Sequence, residues 1–411
     1  MKENEHNIED LLADVNALLD GKPAEQEASQ EPAQPQPEEK EAEKKVKKEP
    51  KKKSIKEKEP FGKKLLRFVK RLLVFLLTTA LLLVGTLYGV MYVLAKGPSE
   101  TARDLFVMSV RETSAVGWIA NLFFTDEEIA LIENKQNVED YTETDTSLIQ
   151  IPTEPASEDA SADDGPKADA WGLVDEDGDG IIVEEVKGAG YSGYMMVVLD
   201  PSRVIVGSVP ASYGARGYTV EEMVKKFDAV AGTNAGGFED PNGTGNGSIP
   251  NTLVVFEGKV HYAGSGTRSG FVGMDDNHIL HVAHKITEAE IKEKNIQYGV
   301  CFGPVLVANG EPCPMDPSGV NPRTAIGQRS DGAILMLVID GRQVISMGAT
   351  LQDLVDIMMD YGAVNACNLD GGSSTLMWYQ GDYVNNCASV IGIRPMPTTI
   401  LVLKEGENGN G

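Results

Sequence analysis

The sequence predicts an α+β protein: mostly antiparallel sheets with a few packed helices, preceded by a single transmembrane helix. Three observations predict it. Leu72–Ala95 runs 24 residues without a charge, more than the ~20 residues a helix needs to cross a bilayer core. Beyond residue 171, short runs rich in Val, Ile, Met and Tyr alternate with Gly, Pro, Asn and Asp turns, the pattern of many short strands. Two segments of that part read as helices behind a capping residue, too few for a repeated βαβ unit and its parallel sheet.

The 411 residues sum to a formal charge of -25, unevenly spread. Residues 1–71 read as a disordered tail, acidic and then basic. Ile8, Leu11, Leu12, Val15 and Leu18 stand at helical spacing, so residues 1–20 suit a short docking helix for a cytoplasmic partner, or a transient helix. Residues 22–60, rich in Glu, Lys, Pro and Gln, hold too little apolar surface to fold. Residues 44–71 carry fourteen Lys or Arg against three Glu. That basic run suits anionic lipid head groups, and its position before the span 72–95 puts the N-terminus in the cytoplasm. A cleaved signal peptide fits badly, because the apolar run is too long and starts too late. Residues 96–411 then lie outside, and their acidic excess argues against a nucleic-acid partner.

Residues 96–137 mix apolar and charged residues at helical spacing, a membrane-proximal stalk. Thr125 and Glu128 have capping-box spacing there. Residues 138–170 hold ten acids and one lysine, an extended flexible linker. The folded domain spans 171–404, and 405–411 is a disordered tail. Within the domain, Tyr194–Leu199, Val204–Val209, Thr252–Phe256, Gly332–Ile339 and Thr399–Val402 read as strands. Thr219 caps a helix over Val220–Phe227. Thr350 caps another over Leu351–Tyr361, with Leu351, Leu354, Val355 and Met358 on one face and Gly362 as its stop. Cys301, Cys313, Cys367 and Cys387 lack CxxC spacing; they allow two disulfides in three pairings, or thiols.

The chemistry-bearing segments follow. Asn368-Leu369-Asp370-Gly371-Gly372-Ser373-Ser374-Thr375 interrupts mostly apolar runs with an acid, two glycines and three hydroxyls. Asp370 is the candidate for proton transfer. Gly371 and Gly372 would let backbone N–H groups face an anion, and Ser373, Ser374 and Thr375 add neutral donors. Asn234-Ala235-Gly236-Gly237-Phe238, followed by Glu239 and Asp240, suits a tight turn and close approach to a ligand, with 241–251 as a loop over it. Arg323, with Thr324 after it, offers a fork of donors for phosphate or carboxylate. Asp340-Gly341-Arg342 reads as a hairpin turn, or as an acid and a base brought to a cleft rim. Asp175, Asp177 and Asp179 mimic a calcium loop, but Val186 stands where the bidentate Glu belongs; the preferred reading is an acidic hairpin turn. His278, His281 and His284, spaced by three, suit metal poorly on either a helix or a strand. There is no GxSxG elbow and no HExxH, which weakens Ser373 as a nucleophile.

Taken in order, Asn234 to Phe238, Phe302-Gly303-Pro304, Asn321-Pro322-Arg323-Thr324, Asp340-Gly341-Arg342, Asn368 to Thr375 and Arg394-Pro395 resemble the phosphodiester glycosidase domain family over roughly residues 190–404. Family members commonly show Asn-Gly-Gly-Phe where this chain has Ala235 inserted after Asn234. The resemblance implies hydrolysis of a sugar-1-phosphodiester at the anomeric carbon, which with the expected span makes a membrane-anchored hydrolase on the outside of a bacterial cell. Its partner is a glycan phosphodiester or anionic cell-surface polymer. Asp370, Glu239 and Asp340 are then the catalytic candidates. Asn234, Gly236, Gly237, Arg323, Thr324, Arg342, Asn368, Gly371, Gly372, Ser373, Ser374 and Thr375 hold the substrate and its phosphate. The resemblance assigns no definite cofactor, and a divalent cation such as calcium is the one to test. The alternative is a non-catalytic binding or assembly protein for anionic wall or exopolysaccharide polymers.

Overall fold

A computed structural model describes residues 61–111, 116–133, 143–152, 168–240, 245–264, 270–315, 317–389 and 392–406. The docking segment at 1–20, the basic stretch up to residue 60 and most of the acidic linker lie outside the described residues. One long apolar helix, α1 (Phe61–Lys96), starts inside the basic run, so Lys63, Lys64, Arg67, Lys70 and Arg71 ride on its first turns. It is long and apolar enough to cross a membrane, with an 18-residue apolar window of which no residue is buried in the protein.

Two short helices follow, α2 (Glu100–Arg111) and α3 (Asp126–Glu133). Thr125 and Glu128 exchange the two hydrogen bonds of a capping box, as their spacing predicts. Val107, Met108, Phe123, Phe124, Ile129 and Ile132 bury a small core of their own, with Met91 and Ala95 of α1 packed into it.

Three antiparallel sheets and several helices build the domain. The largest sheet runs β1 (Ile181–Gly188), β2 (Tyr191–Val198), β13 (Ile334–Ile339), β12 (Arg323–Arg329), β14 (Ala363–Leu369), β10 (Val305–Ala308), β11 (Glu311–Pro312). The second runs β16 (Asp382–Tyr383), β15 (Met377–Tyr379), β4 (Ala231–Asn234), β17 (Thr398–Val402), β3 (Val204–Ser208). The third runs β6 (Lys259–Tyr262), β5 (Val254–Phe256), β9 (Tyr298–Cys301), β7 (Phe271–Met274), β8 (Leu280–Ala283).

Strand parity explains why Ile334–Ile339 is apolar throughout. Met336 and Val338 face one core, together with Ile326, Cys367 and strands of the other two sheets. Leu335, Leu337 and Ile339 face a second core under α6 (Leu351–Asp360), beside Leu354, Val355 and Met358. A strand covered on both sides has no polar face to keep. Thr219 with Glu222 and Thr350 with Asp353 form full capping boxes at α4 (Val220–Lys226) and α6. A third box, Thr287 with Glu290, starts α5 (Glu288–Glu293); its T-x-x-E signal stands in the sequence, but the segment is not among the expected helices.

Part of the expected linker departs from its acidic composition. Residues 143–152 lie along the domain as a strap. Asp145 N–H donates to Asn309 Oδ1 (2.8 Å), Thr144 Oγ1–H to the Val282 carbonyl (3.2 Å), and Gln150 N–H to the Ser330 carbonyl (2.8 Å). Ile149 is buried with Ile279 and Val364. Averaging over ten acids hides this apolar anchor. Asp169 is also fixed, 2.7 Å from Nη1 of the fully buried Arg329, whose Nη2 meets Asp331 at 2.6 Å. Burial acts to raise the Asp169 carboxyl, but hydrogen bonds from Leu173, Arg329 and Trp171 outweigh it and hold the group below the usual range. The Trp171 ring covers the guanidinium at 3.9 Å. Arg329→Ala removes the cation from two carboxylates and is expected to cost about 3 kcal/mol. A urea midpoint within experimental error of the parent would refute that.

The four cysteines are all thiols. Burial pushes Cys301 up to about 12 and Cys367 higher still, so neither is a nucleophile at neutral pH.

Candidate functional site

The candidate site forms where the end of β14 meets the end of β4. Asn234 ties the two sheets together from a fully buried position. Its Nδ2–H donates to the Asp370 carbonyl, and its Oδ1 accepts from Thr324 Oγ1 (2.9 Å) and Leu376 N–H (3.1 Å). Asp370 N–H returns a bond to the Ala235 carbonyl (2.9 Å). The backbone of Asp370 is therefore held on both sides, while the residue itself is half-buried at the mouth. Thr324 and Thr375 touch through their hydroxyls at 3.4 Å. The structure thus brings Asn234, Thr324, Asp370 and Thr375 together, and it uses the Asn234 amide as a brace between protein groups.

The 371–375 segment is a short 3-10 turn. Gly372 suits its place by its φ of +64°, and a Cβ there would sit 3.3 Å from Arg342 Nη2. Gly371 lies against the Pro322 carbonyl, 2.7 Å from where a Cβ would be. The N–H groups of Gly372, Ser374 and Thr375 donate to Pro322, Gly371 and Gly372 carbonyls. Those three bonds hold the turn, so they are not aimed at an anion as the sequence suggests. Gly236 and Gly237 serve close packing. A Cβ at Gly236 would meet Val300 at 3.2 Å, and one at Gly237 would meet Asn251 Oδ1 at 2.7 Å.

Two of the charged candidates, Arg323 and Asp340, fall differently from expectation. Arg323 points away from this cluster. It alternates with Thr324 on β12, so the two side chains take opposite faces, and its head donates to the Gly319 (2.6 Å) and Ala349 (3.2 Å) carbonyls. Asp340 is buried, and its oxygens accept from Asn385 Nδ2 (3.0 Å), Asn386 N–H (3.0 Å) and Asn386 Nδ2 (3.1 Å). That geometry fixes the 385–386 loop. Glu239 is exposed beside the site, with its N–H on the Ile249 carbonyl. The expected hairpin at Asp340-Gly341-Arg342 is instead the start of a loop, 340–349, that returns to the sheet at the Asn321–Ala349 bridge. Residues 245–251 do lie beside Gly237 and Phe238, through the Phe238–Pro250 bridge.

Two arginines flank the turn. Exposed Arg342 stands over Gly372 and donates from Nη2 to Asn321 Oδ1 (3.3 Å). Buried Arg394 donates from Nη1 to Ser373 Oγ (2.8 Å) and stacks 5.1 Å from the Phe238 ring centroid. Its Nη2 is 2.6 Å from Asp240 Oδ1, a charge contact at an angle that misses hydrogen-bond geometry. Arg394 is not among the expected site residues, although its Arg-Pro motif is visible in the sequence. Buried polar atoms lacking a partner among the described residues gather here too: Arg394 Nε, Asn251 Oδ1 and Asn368 Oδ1. Asn368 uses its Nδ2 to clasp the Gly303 carbonyl at 2.7 Å. Such orphans are rare in folded proteins, and a polar ligand would satisfy them.

Elsewhere, the carboxylates of Asp175, Asp177 and Asp179 lie within 4.8 Å of one another. They accept from Gly178, Gly180, Asp179 and Ile181 N–H in a turn entering β1. This is an acidic turn, as preferred, though not one joining two strands. His281 Nε2 pairs with Asp275 at 3.0 Å.

Residues 227–403 match the phosphodiester glycosidase family profile, and the chain carries a domain of that family. The SPbeta prophage-derived uncharacterized protein YomE of Bacillus subtilis (strain 168) is 30% identical over 184 residues, covering 42% of this chain. The chain spans 28% of that relative's length. The zebrafish N-acetylglucosamine-1-phosphodiester alpha-N-acetylglucosaminidase catalytic domain, auto-inhibited by its pro-peptide, superposes with TM-score 0.45 at 19% identity, over 55% of this chain and 82% of that one. A hypothetical protein from Synechocystis superposes with TM-score 0.38 at 15% identity, over 54% and 62%.

Proposed function

We propose that the domain hydrolyses a sugar-1-phosphodiester resembling N-acetylglucosamine-1-phosphodiester, outside a bacterial membrane in which α1 is a single span. The observation that carries this reading is the placing of Arg342 and Arg394 against the successive residues Gly372 and Ser373, just after Asp370. A phosphodiester carries one negative charge on a flat pair of oxygens, which guanidinium forks match. In this reading Arg342 holds the anion, a role expected of it together with Arg323, whose head is turned to the Gly319 and Ala349 carbonyls. Ser373 accepts from Arg394 and keeps its own O–H for a ligand.

In the reaction, water oxygen bonds to the anomeric carbon as the carbon–oxygen bond to phosphate breaks. The electron pair leaves on the phosphate oxygen, and the water proton passes to a carboxylate. Asp370 is our assignment for that base, with Glu239 second. A phosphate leaving group needs little protonation, so the second carboxylate of ordinary glycosidases matters less. Asp340 is then a positioning residue. Family membership supports the reaction class. The sugar is taken from what the zebrafish protein's name says of that protein.

The test is a soluble fragment starting at Glu143, so that the strap is kept. It is incubated with N-acetylglucosamine-1-phosphodiesters, with calcium and with chelator. Release of the sugar is expected. Arg342→Ala should lower kcat/KM about tenfold to a hundredfold, the worth of one charge-assisted hydrogen bond of about 1.5–3 kcal/mol. Binding of anionic polymer with no sugar released would favour the assembly protein instead.

A further inference from the structure

Loop 340–349 carries an apolar tip that the core does not use. Val344, Ile345 and Met347 are 103%, 81% and 62% exposed. Scattered surface hydrophobics are ordinary, but three within four residues on a fixed loop form a patch that asks for a partner. The loop is fixed at its roots. Ser346 Oγ–H donates to the Asp340 carbonyl (2.6 Å), Ser192 N–H to Ser346 Oγ (3.0 Å), Met347 N–H to the Gly190 carbonyl (2.8 Å) and Arg342 N–H to the Met347 carbonyl (3.1 Å). The tip is thus presented outward, with only its base held by the domain.

The position of the loop indicates what covers it. Ala349 exchanges two backbone hydrogen bonds with Asn321. Just before Asn321, Val320 N–H donates to Ser109 Oγ of α2 (3.1 Å), and Gly319 is pressed so close to Ser109 that a Cβ would meet its backbone at 2.6 Å. Helix α2 follows directly on α1. The last turns of α1 are packed into the same small core: Tyr88 lies 5.6 Å from Phe123, and Lys96 Nζ stands 4.4 Å over the Phe124 ring. That collar exposes Trp118 (62%) and Leu122, and tryptophan favours the membrane–water boundary. A continuous chain of contacts therefore runs from the end of the apolar helix, through α2 and 319–321, to the root of the loop. Arg342 lies on this same loop, two residues before Val344. The strap at 143–152 is held at the opposite end of the sheet, by Ser330 and Val364.

We propose that Val344, Ile345 and Met347 insert into the outer leaflet of the bilayer that α1 crosses, holding the Arg342 rim at head-group level. The occupant of the patch is lipid. The site mouth then faces phosphodiesters presented at the membrane surface. The proposal rests on α1 as a span and not on the catalytic assignment.

The test uses the full chain in vesicles of phosphatidylethanolamine and phosphatidylglycerol, with and without brominated phosphatidylcholine. A polarity-sensitive fluorophore is placed at Val344→Cys, and at Ser330→Cys as a far-end control. The unsubstituted chain controls for labelling of the native thiols. The probe at 344 is expected to shift to the blue and lose most of its emission to the brominated lipid, while the probe at 330 does neither. Equal, weak quenching at both positions overturns the proposal. So does 344-to-344 cross-linking without bromine quenching, which would assign the tip to a second copy. A chain that fails to float with the vesicles overturns it too, because the tip is argued from the helix; sugar release by the Glu143 fragment would be untouched by any of these results.

Discussion

Asp370→Asn should lower sugar release by about 10²–10⁴-fold, the usual worth of a positioned proton acceptor, and leave the fold intact. The two expectations separate because the Asp370 backbone anchors the junction whatever its side chain does: its N–H goes to Ala235 and its carbonyl to Asn234. Asparagine keeps those bonds and nearly the same volume. Only the charge and the basic oxygen change. Measuring kcat/KM beside a thermal melt decides it. Undiminished kcat/KM in the Asp370→Asn protein would transfer the role to Glu239, and Glu239→Gln would then be the damaging change.

Asn234→Ala is expected to damage both stability and activity. The amide serves three partners at a buried junction: the Thr324 hydroxyl, the Leu376 N–H and the Asp370 carbonyl. Each buried group left unmade costs about 1–3 kcal/mol. Some relaxation is available at the half-buried Asp370, so a total of about 3 kcal/mol is the expectation. The segment from Asp370 to Leu376 would lose its tether to the second sheet, and turnover should fall with it. Urea unfolding and kcat/KM measured on the same preparation test this. A loss of stability under about 1 kcal/mol would show that the brace is dispensable.

Much of the fold is legible from local rules. Thr219 and Thr350 begin helices because a side-chain oxygen just before the first turn accepts from an otherwise unpaired N–H three residues on, and that is a property of near neighbours. The fully apolar Ile334–Ile339 signals a strand by composition, though not that both of its faces are covered. The strap is hidden because Leu148, Ile149 and Ile151 are few among acids, and the partners of Ile149, Ile279 and Val364, are distant in sequence. At the site, the motif segments do meet, at Asn234, Thr324, Asp370 and Thr375. Their roles are less legible. The sequence reading offers Arg323 and Arg342 as anion-holding cations and passes over Arg394, and no local signal ranks the three.

The apolar helix, the α+β class, the capped helices and the family motifs are all readable from the amino-acid order, because each depends on neighbours a few residues apart. Three outcomes needed the assembled fold. They are which arginines border the 371–373 turn, the occupation of Asp340 by Asn385 and Asn386, and the use of the Gly-rich Asn234 segment for close packing. Each depends on which face of a strand a residue takes and what the opposing sheet brings against it. Strand parity places Arg323 away from Thr324, and chain return places Arg394 on Ser373.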